Sequence, residues 1–227
     1  ASALGAYRYD EAFNRWVYLG GVLKPGNEFE FQAGEPGRFA IMEELVTFSD
    51  ISGHWAEHSI ALMAAKRIAS GVGAGRFAPN ASVTRAEFAS LLSRALELDQ
   101  SAPLAFKDVA SDAWYRTDLA KALDAGLIEG VDDTRFAPQA TITREQMAAM
   151  MMRAYSYLTG IRQDDILLPR GNKFADEQQA SPWAARSIRL ADAVGLMSGA
   201  ADGAFRPKDT ATRAEAIVVL QRLLDKK

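Results

Sequence analysis

Cysteine is absent from the 227 residues. That excludes disulfides and thiolate metal sites, and it fits either a cytosolic protein or an exported one from a cell that avoids disulfides. Histidine occurs only as His54 and His58, so any metal site would need carboxylates to complete it. Neither sign of charge is in excess: 26 basic and 29 acidic residues give a net charge of −3. No basic stretch of the kind that grips phosphates is present, which disfavours nucleic acid as a partner. No apolar run approaches the ~20 residues that span a bilayer. The chain starts at Ala1 without a Met or a signal-peptide apolar core, so it reads as a fragment or a mature product. What is plentiful is apolar side chain, 48% of the residues, ample for a core in one large domain or two small ones.

The apolar residues are organised by repetition. Trp55, Trp114 and Trp183 each precede an arginine by 30 residues, in the pairs Thr84-Arg85, Thr143-Arg144 and Thr212-Arg213. A glycine, Gly71, Gly130 or Gly199, follows each Trp by 16 residues, and Phe77-Ala78-Pro79, Phe136-Ala137-Pro138 and Phe205-Arg206-Pro207 follow the glycines at one offset. Each copy opens with Phe-x-Asp: Phe48-Ser49-Asp50, Phe106-Lys107-Asp108 and Phe174-Ala175-Asp176. Four of these landmarks recur three times at fixed offsets and define an internal repeat.

Each copy reads as helix–loop–helix. The first helix starts near the Trp, with Ile60, Met63, Ala64 and Ile68 on one face in copy one and Leu119, Leu123 and Leu127 in copy two. The repeated glycine is expected to end it in a left-handed turn. The second helix opens at the Thr, which forms a capping box with Glu87, Gln146 or Glu215 three residues on. Three such pairs should bury their apolar second helices together as a central bundle. The longer spacing between the second and third Trp places a polar surface connection over Leu158 to Lys173, with Pro169-Arg170-Gly171 inside it. Residues 1–46 differ: Arg15 to Leu19, Glu28 to Gln32 and Arg38 to Met42 read as strands separated by Gly20-Gly21 and Lys24-Pro25-Gly26-Asn27 turns. They are either the last strands of a larger β-domain or a small β appendage, and no chemistry is assigned to them.

The run Phe-x-Asp, His54-Trp55-Ala56, Ser70-Gly71, Phe-x-Pro and Val83-Thr84-Arg85-Ala86-Glu87 resembles the S-layer homology (SLH) module. Copies two and three resemble it through Trp114, Gly130, Phe136, Pro138 and Ile142 to Glu145, and through Trp183, Ser198-Gly199, Phe205, Pro207 and Ala211 to Glu215. The resemblance covers about residues 48–224. It implies a mainly α fold, a pseudo-threefold trimer of SLH modules around a central three-helix bundle, preceded by the small β segment. The corresponding boundaries are 1–46 for the β segment, 47–104 for module 1, 105–172 for module 2 with its linker, and 173–227 for module 3. It further implies a secreted, non-enzymatic monomer at the bacterial cell surface or S-layer, without cofactor. Such a unit attaches non-covalently to secondary cell-wall polysaccharide through a pyruvylated sugar, with peptidoglycan as a further wall component, and not to membrane.

The repeated residues have chemistry suited to an anionic sugar. Arg85, Arg144 and Arg213 sit at helix N-termini, where unpaired N–H groups and the dipole favour anions, and a guanidinium can fork onto a carboxylate. Trp55, Trp114 and Trp183 can offer a flat face and an N–H to a sugar. Gly71, Gly130 and Gly199 allow close backbone approach, with Ser70, Ser198 and Lys66 beside them. The same residues admit a structural reading: the arginines bind a core carboxylate or a carbonyl of the next repeat, the Trp residues pack, and the chain is a helical protein–protein assembly module. Copy two carries Glu129 where the others have Ser70 and Ser198, so its pocket is expected to be the weakest for an anion. Repeat one has Arg67 where the others have Gly126 and Gly195.

Two motifs are set aside. His54-Trp55-Ala56-Glu57-His58 fits a zinc-protease pattern, but the other copies do not reproduce it and no metal is assigned. Gly71-Val72-Gly73-Ala74-Gly75 resembles a nucleotide loop but opens no helix.

Overall fold

The computed structural model describes residues 4–12, 14–43, 46–168 and 173–226. They fall into two compact units, Ala1–Ala78 and Pro79–Lys227. The first unit holds β1 (Leu4–Asp10), β2 (Arg15–Gly20), β3 (Val22–Lys24), β4 (Glu28–Glu30), β5 (Phe39–Glu43) and the helix α1 (Glu57–Ala65). An antiparallel sheet runs in the order β2-β1-β5, and β3 and β4 form a separate hairpin. The three anticipated strand runs lie on β2, β4 and β5, whereas the central strand β1 was not anticipated. Its Gly5 and Ala6 have low strand propensity. The ladder is held instead by cross-strand aromatics, Tyr7 edge-on to Tyr18 and Tyr9 to Trp16.

The second unit is helical: α2 (Arg85–Ala95), α3 (Arg116–Asp124), α4 (Arg144–Thr159), α5 (Pro182–Ala193) and α6 (Arg213–Leu224). The whole is mainly α among the described residues. The second helices α2, α4 and α6 each start in a complete capping box, with Thr84, Thr143 and Thr212 as N-caps. Their apolar faces converge, α2 and α4 both packing on α6. Phe88, Leu92, Met147, Met151, Leu220 and Leu223 are wholly buried there, each stabilising the fold by about 2 kcal/mol. Two of the second helices also pack on the first helix of the following repeat, α2 on α3 and α4 on α5.

The threefold character reaches the backbone. The residue before each N-cap threonine is buried, and the three close a ring of hydrogen bonds. The Val83 N–H donates to the Ala211 carbonyl at 3.0 Å, Ala211 to Ile142 at 2.9 Å, and Ile142 back to Val83 at 3.0 Å.

Two expectations change. The left-handed residues after the first helices are Arg67 (φ 58°), Gly126 (φ 67°) and Gly195 (φ 73°), not Gly71, Gly130 and Gly199. The polar connection begins at Gly160, which caps α4 at φ 72°, so Leu158 and Thr159 are helical; Pro169-Arg170-Gly171 lie outside the described residues.

Candidate functional site at the module interfaces

Each repeat folds its Phe-x-Pro loop around an aspartate. In the first unit the Asp50 carboxylate accepts from the Phe77 and Ala78 N–H groups, both at 2.8 Å. Asp108 accepts from Phe136 and Ala137, and Asp176 from Phe205 and Arg206. This grip holds Ala78, Ala137 and Arg206 at φ 57–59°, a left-handed conformation disfavoured for any residue with a Cβ. The Phe of Phe-x-Asp lies against the Phe of Phe-x-Pro, with centroids 5.2–5.7 Å apart. The role of these aspartates was not read from the sequence, although Phe-x-Asp recurs. Their separation from the loop they hold drifts from 27 to 28 to 29 residues, so they escape a fixed-offset search.

The repeated glycines serve this same packing. A Cβ on Gly71 would come within 2.6 Å of the Phe48 ring and 2.7 Å of the Arg76 carbonyl, and one on Gly199 within 2.8 Å of Phe174 and 2.9 Å of the Ala204 carbonyl. At Gly130 the Phe106 ring would be met at 2.7 Å. The close approach that requires glycine is therefore to the module's own phenylalanine and to loop carbonyls, that of Asp132 foremost at Gly130.

The arginines reach across to the next module. Arg85, 6% exposed, donates from Nε to the Phe136 carbonyl at 2.8 Å and from Nη2 to the Glu129 carbonyl at 3.0 Å. Its guanidinium stands 4.6 Å from the Phe136 ring centroid. Burial lowers its pKa, opposed by the Asp108 carboxylate and reinforced by Arg153. Arg144 repeats the arrangement on module 3: Nε to the Phe205 carbonyl at 2.8 Å, Nη2 to the Ser198 carbonyl at 3.0 Å, and the Phe205 ring at 4.8 Å. Its Nη1 adds an ion pair to Glu215 at 2.6 Å. Arg213 Nη1 lies 3.9 Å from Glu87.

The helix N-termini are not open anion sites. At α2 the Thr84 N–H donates to the Glu87 carboxylate and the Glu87 N–H to the Thr84 hydroxyl. The Arg85 N–H donates to the Ala140 carbonyl and the Ala86 N–H to the Pro138 carbonyl. The α4 and α6 termini are closed the same way, by Asp209 and Pro207 and by Ala81 and Pro79. All four donors that a helix start leaves unpaired are thus used, two within the capping box and two in joining modules, so the expected backbone contribution to anion binding is absent at these termini. Any ligand chemistry at these termini would rest on side chains.

Those side chains are placed unevenly. Trp55, Trp114 and Trp183 are 65%, 63% and 58% exposed, so packing is not what they chiefly do. The Arg94 guanidinium is 6.0 Å from the Trp114 centroid while pairing with Asp118 at 3.1 Å. Ser70 and Ser198 are exposed and Lys66 is half-buried. The Glu129 carboxylate, mostly exposed, pairs with Arg153 at 2.5 Å. His54 accepts the Ala56 N–H at 3.2 Å through Nδ1, and among the described residues no three His, Asp or Glu side chains are grouped to hold a metal. Among them too, no helix is long and apolar enough to cross a membrane.

Comparison with known proteins follows the same three segments. The S-layer homology domain model matches residues 47–89, 105–148 and 173–217. The chain is 35% identical over 225 residues to an amylopullulanase of Thermoanaerobacterium thermosulfurigenes, covering 98% of the chain but 12% of the relative. It is 34% identical over 194 residues to an exoglucanase of Acetivibrio thermocellus, covering 85% of the chain and 17% of the relative. It is 32% identical over 185 residues to the surface-layer 125 kDa protein of Lysinibacillus sphaericus, covering 80% and 15%. The chain spans less than a fifth of each of these relatives, so their catalytic names do not transfer to it. Three matched segments, repeated in the backbone ring, the capping boxes and the interlocking arginines, make this chain a member of the S-layer homology domain family.

Proposed function

We propose that the chain anchors a cell-surface protein non-covalently to the bacterial cell wall by binding secondary wall polysaccharide. The observation that carries the reading is which relatives share this region. An amylopullulanase, an exoglucanase and a surface-layer protein have it in common; a region shared by proteins with such different names serves location and not chemistry. The sugar is an anionic, pyruvylated one, held beside Arg85, Arg144 and Arg213 and stacked on the exposed faces of Trp55, Trp114 and Trp183. Exposed indoles of this kind supply an apolar face together with an N–H. Ser70, Ser198 and Lys66 are further polar groups offered to the sugar, and Gly71, Gly130 and Gly199 act through the loops they allow to pack. Three weak sites on one chain gain residence time on a repetitive polymer by avidity.

The arginines have a second duty, since each of Arg85 and Arg144 fastens one module to the next. An arginine-to-alanine variant therefore perturbs fold and binding together. The clean test substitutes the tryptophans. A sedimentation assay with purified walls, before and after removal of their polysaccharide, should show retention of the wild-type chain only on intact walls. Trp55→Ala/Trp114→Ala/Trp183→Ala should stay folded and lose at least ten-fold in retention. Equal retention on stripped walls would favour a protein–protein or peptidoglycan partner instead.

A further inference from the structure

The three tryptophans are not presented alike. Trp55 and Trp114 lie in turns just ahead of α1 and α3. One bond closes each turn, from the Glu57 N–H to the His54 carbonyl and from the Arg116 N–H to the Ala113 carbonyl, both at 2.9 Å. Trp183 lies inside the first turn of α5. The Ser181 carbonyl ahead of it accepts both the Ala184 N–H at 2.9 Å and the Ala185 N–H at 3.1 Å. Pro182 opens that helix, with φ already set and no N–H to leave unpaired. The helix therefore fixes the direction in which the Trp183 side chain leaves the backbone. The indole faces differ as well. Trp55 has the His54 ring at 5.5 Å, and Trp114 has Tyr115 at 5.3 Å and the Arg94 guanidinium at 6.0 Å. Among the described residues, no ring–ring or cation–ring contact involves Trp183.

The start of α5 is held from the neighbouring module. The Glu145 carboxylate, on α4, accepts the Ser181 N–H at 2.9 Å and the Ser181 hydroxyl at 3.0 Å. Lys208 donates from Nζ to the same carboxylate and to the Ser181 Oγ, both at 2.6 Å. The Glu145 side chain is 6% exposed, a buried charge met by a cation and two hydrogen bonds. It also lies at the positive end of the α5 dipole. All three residues are peculiar to this junction. Where module 2 has Glu145, modules 1 and 3 have Ala86 and Ala214. Where module 3 has Ser181, the others have Gly53 and Asp112, and in place of Lys208 they have Asn80 and Gln139. In module 1 the corresponding Gly53 N–H is taken locally, by Glu57 at 2.8 Å. Among the described residues, a side chain of the preceding module holds this turn only ahead of Trp183.

Resting on the proposed wall-anchoring role, we infer that Glu145 is a positioning residue for Trp183, and that the Glu145–Ser181–Lys208 cluster makes Trp183 the strongest of the three aromatic platforms for a wall sugar. Glu145 itself touches no sugar; it acts through Ser181, two residues before the indole. A ring carried on ordered backbone loses less freedom on stacking than one carried on a turn closed by a single bond. The fold does not depend on the cluster. Glu145→Ala installs the residue that modules 1 and 3 carry, and Lys208, half-exposed, returns to water without leaving a buried charge unpaired.

The experiment uses the full chain carrying Trp16→Phe, Trp55→Phe and Trp114→Phe, so that Trp183 fluorescence alone reports titration with polysaccharide released from purified walls. Glu145→Ala should weaken that binding about five-fold while the chain still melts cooperatively. Glu145→Gln keeps an acceptor for the Ser181 N–H and should recover at least half of the loss. Wall sedimentation supplies the coupling. In the otherwise wild-type chain Glu145→Ala should reduce retention on intact walls, and in a Trp183→Ala chain it should reduce retention no further. Unchanged affinity in Glu145→Ala, no recovery in Glu145→Gln, or an equal loss with and without Trp183 would each overturn the assignment, the last by making Glu145 merely structural. Wild-type retention that Trp183→Ala leaves untouched sinks this inference and leaves anchoring intact, whereas no retention of the wild type sinks both.

Discussion

Replacing Arg85 by alanine should weaken the fold by about 3 kcal/mol. Two hydrogen bonds from a charged donor to the Phe136 and Glu129 carbonyls are lost, each worth about 1.5–3 kcal/mol, together with a guanidinium–ring contact of about 1 kcal/mol. Against this, the variant no longer pays for desolvating a guanidinium that is 6% exposed, which returns part of the sum. For a chain of this length, about 3 kcal/mol lowers Tm by about 6–12 °C. Calorimetry or circular-dichroism melts measure it directly. Arg85→Lys is the control: an ammonium on a flexible stem cannot fork onto two carbonyls, so it should recover less than half of the loss. A shift in Arg85→Ala of under about 1 °C, the behaviour of a surface substitution, would refute the view that these arginines fasten one module to the next.

Other substitutions probe the loops. Gly199→Ala forces a Cβ to within 3 Å of the Phe174 ring and the Ala204 carbonyl and should destabilise by about 2 kcal/mol in urea titrations, with Gly126→Ala, at φ 67°, weaker by about 1 kcal/mol. The Thr134 N–H, helped by Arg135, holds the Asp132 pKa down at about 2. A depressed folded-state pKa stabilises above the unfolded value near 4 and is lost as pH falls towards about 2. Asp132→Asn should therefore flatten the acid limb of the stability–pH curve between those values, and parallel curves would exclude the contribution. Trp183→Ala alone should change stability by less than about 1 kcal/mol, since the side chain stands mostly in water; a large drop in Tm would return the tryptophans to a packing role.

Much of the architecture was legible because local chemistry and repetition agreed. Thr-Arg with Glu or Gln three residues on marks a helix start, and α2, α4 and α6 begin there. Glycine was less legible, because its two uses look alike in one dimension. Gly126 and Gly195 take the left-handed turn, while Gly71, Gly130 and Gly199 clear space for a phenylalanine. Copy one shows the difference only in retrospect: Arg67 occupies the left-handed position at φ 58°, whereas Gly71 is retained. A carbonyl of the next repeat was one of the partners the sequence allowed the arginines, but which carbonyls could not be read, since they lie 44 to 61 residues away and carbonyls carry no residue identity. For the same reason the helix N-termini looked free. Strand β1 escaped because small residues hid a strand whose ladder rests on tyrosines.

Wall attachment is most directly tested by sedimentation of the chain with purified walls that carry, or have been stripped of, their secondary polysaccharide. Retention on the intact walls, with at least a ten-fold loss on the stripped walls and in competition with free pyruvylated polysaccharide, is the expected result. Equal retention on both wall preparations, or none on either, would contradict it.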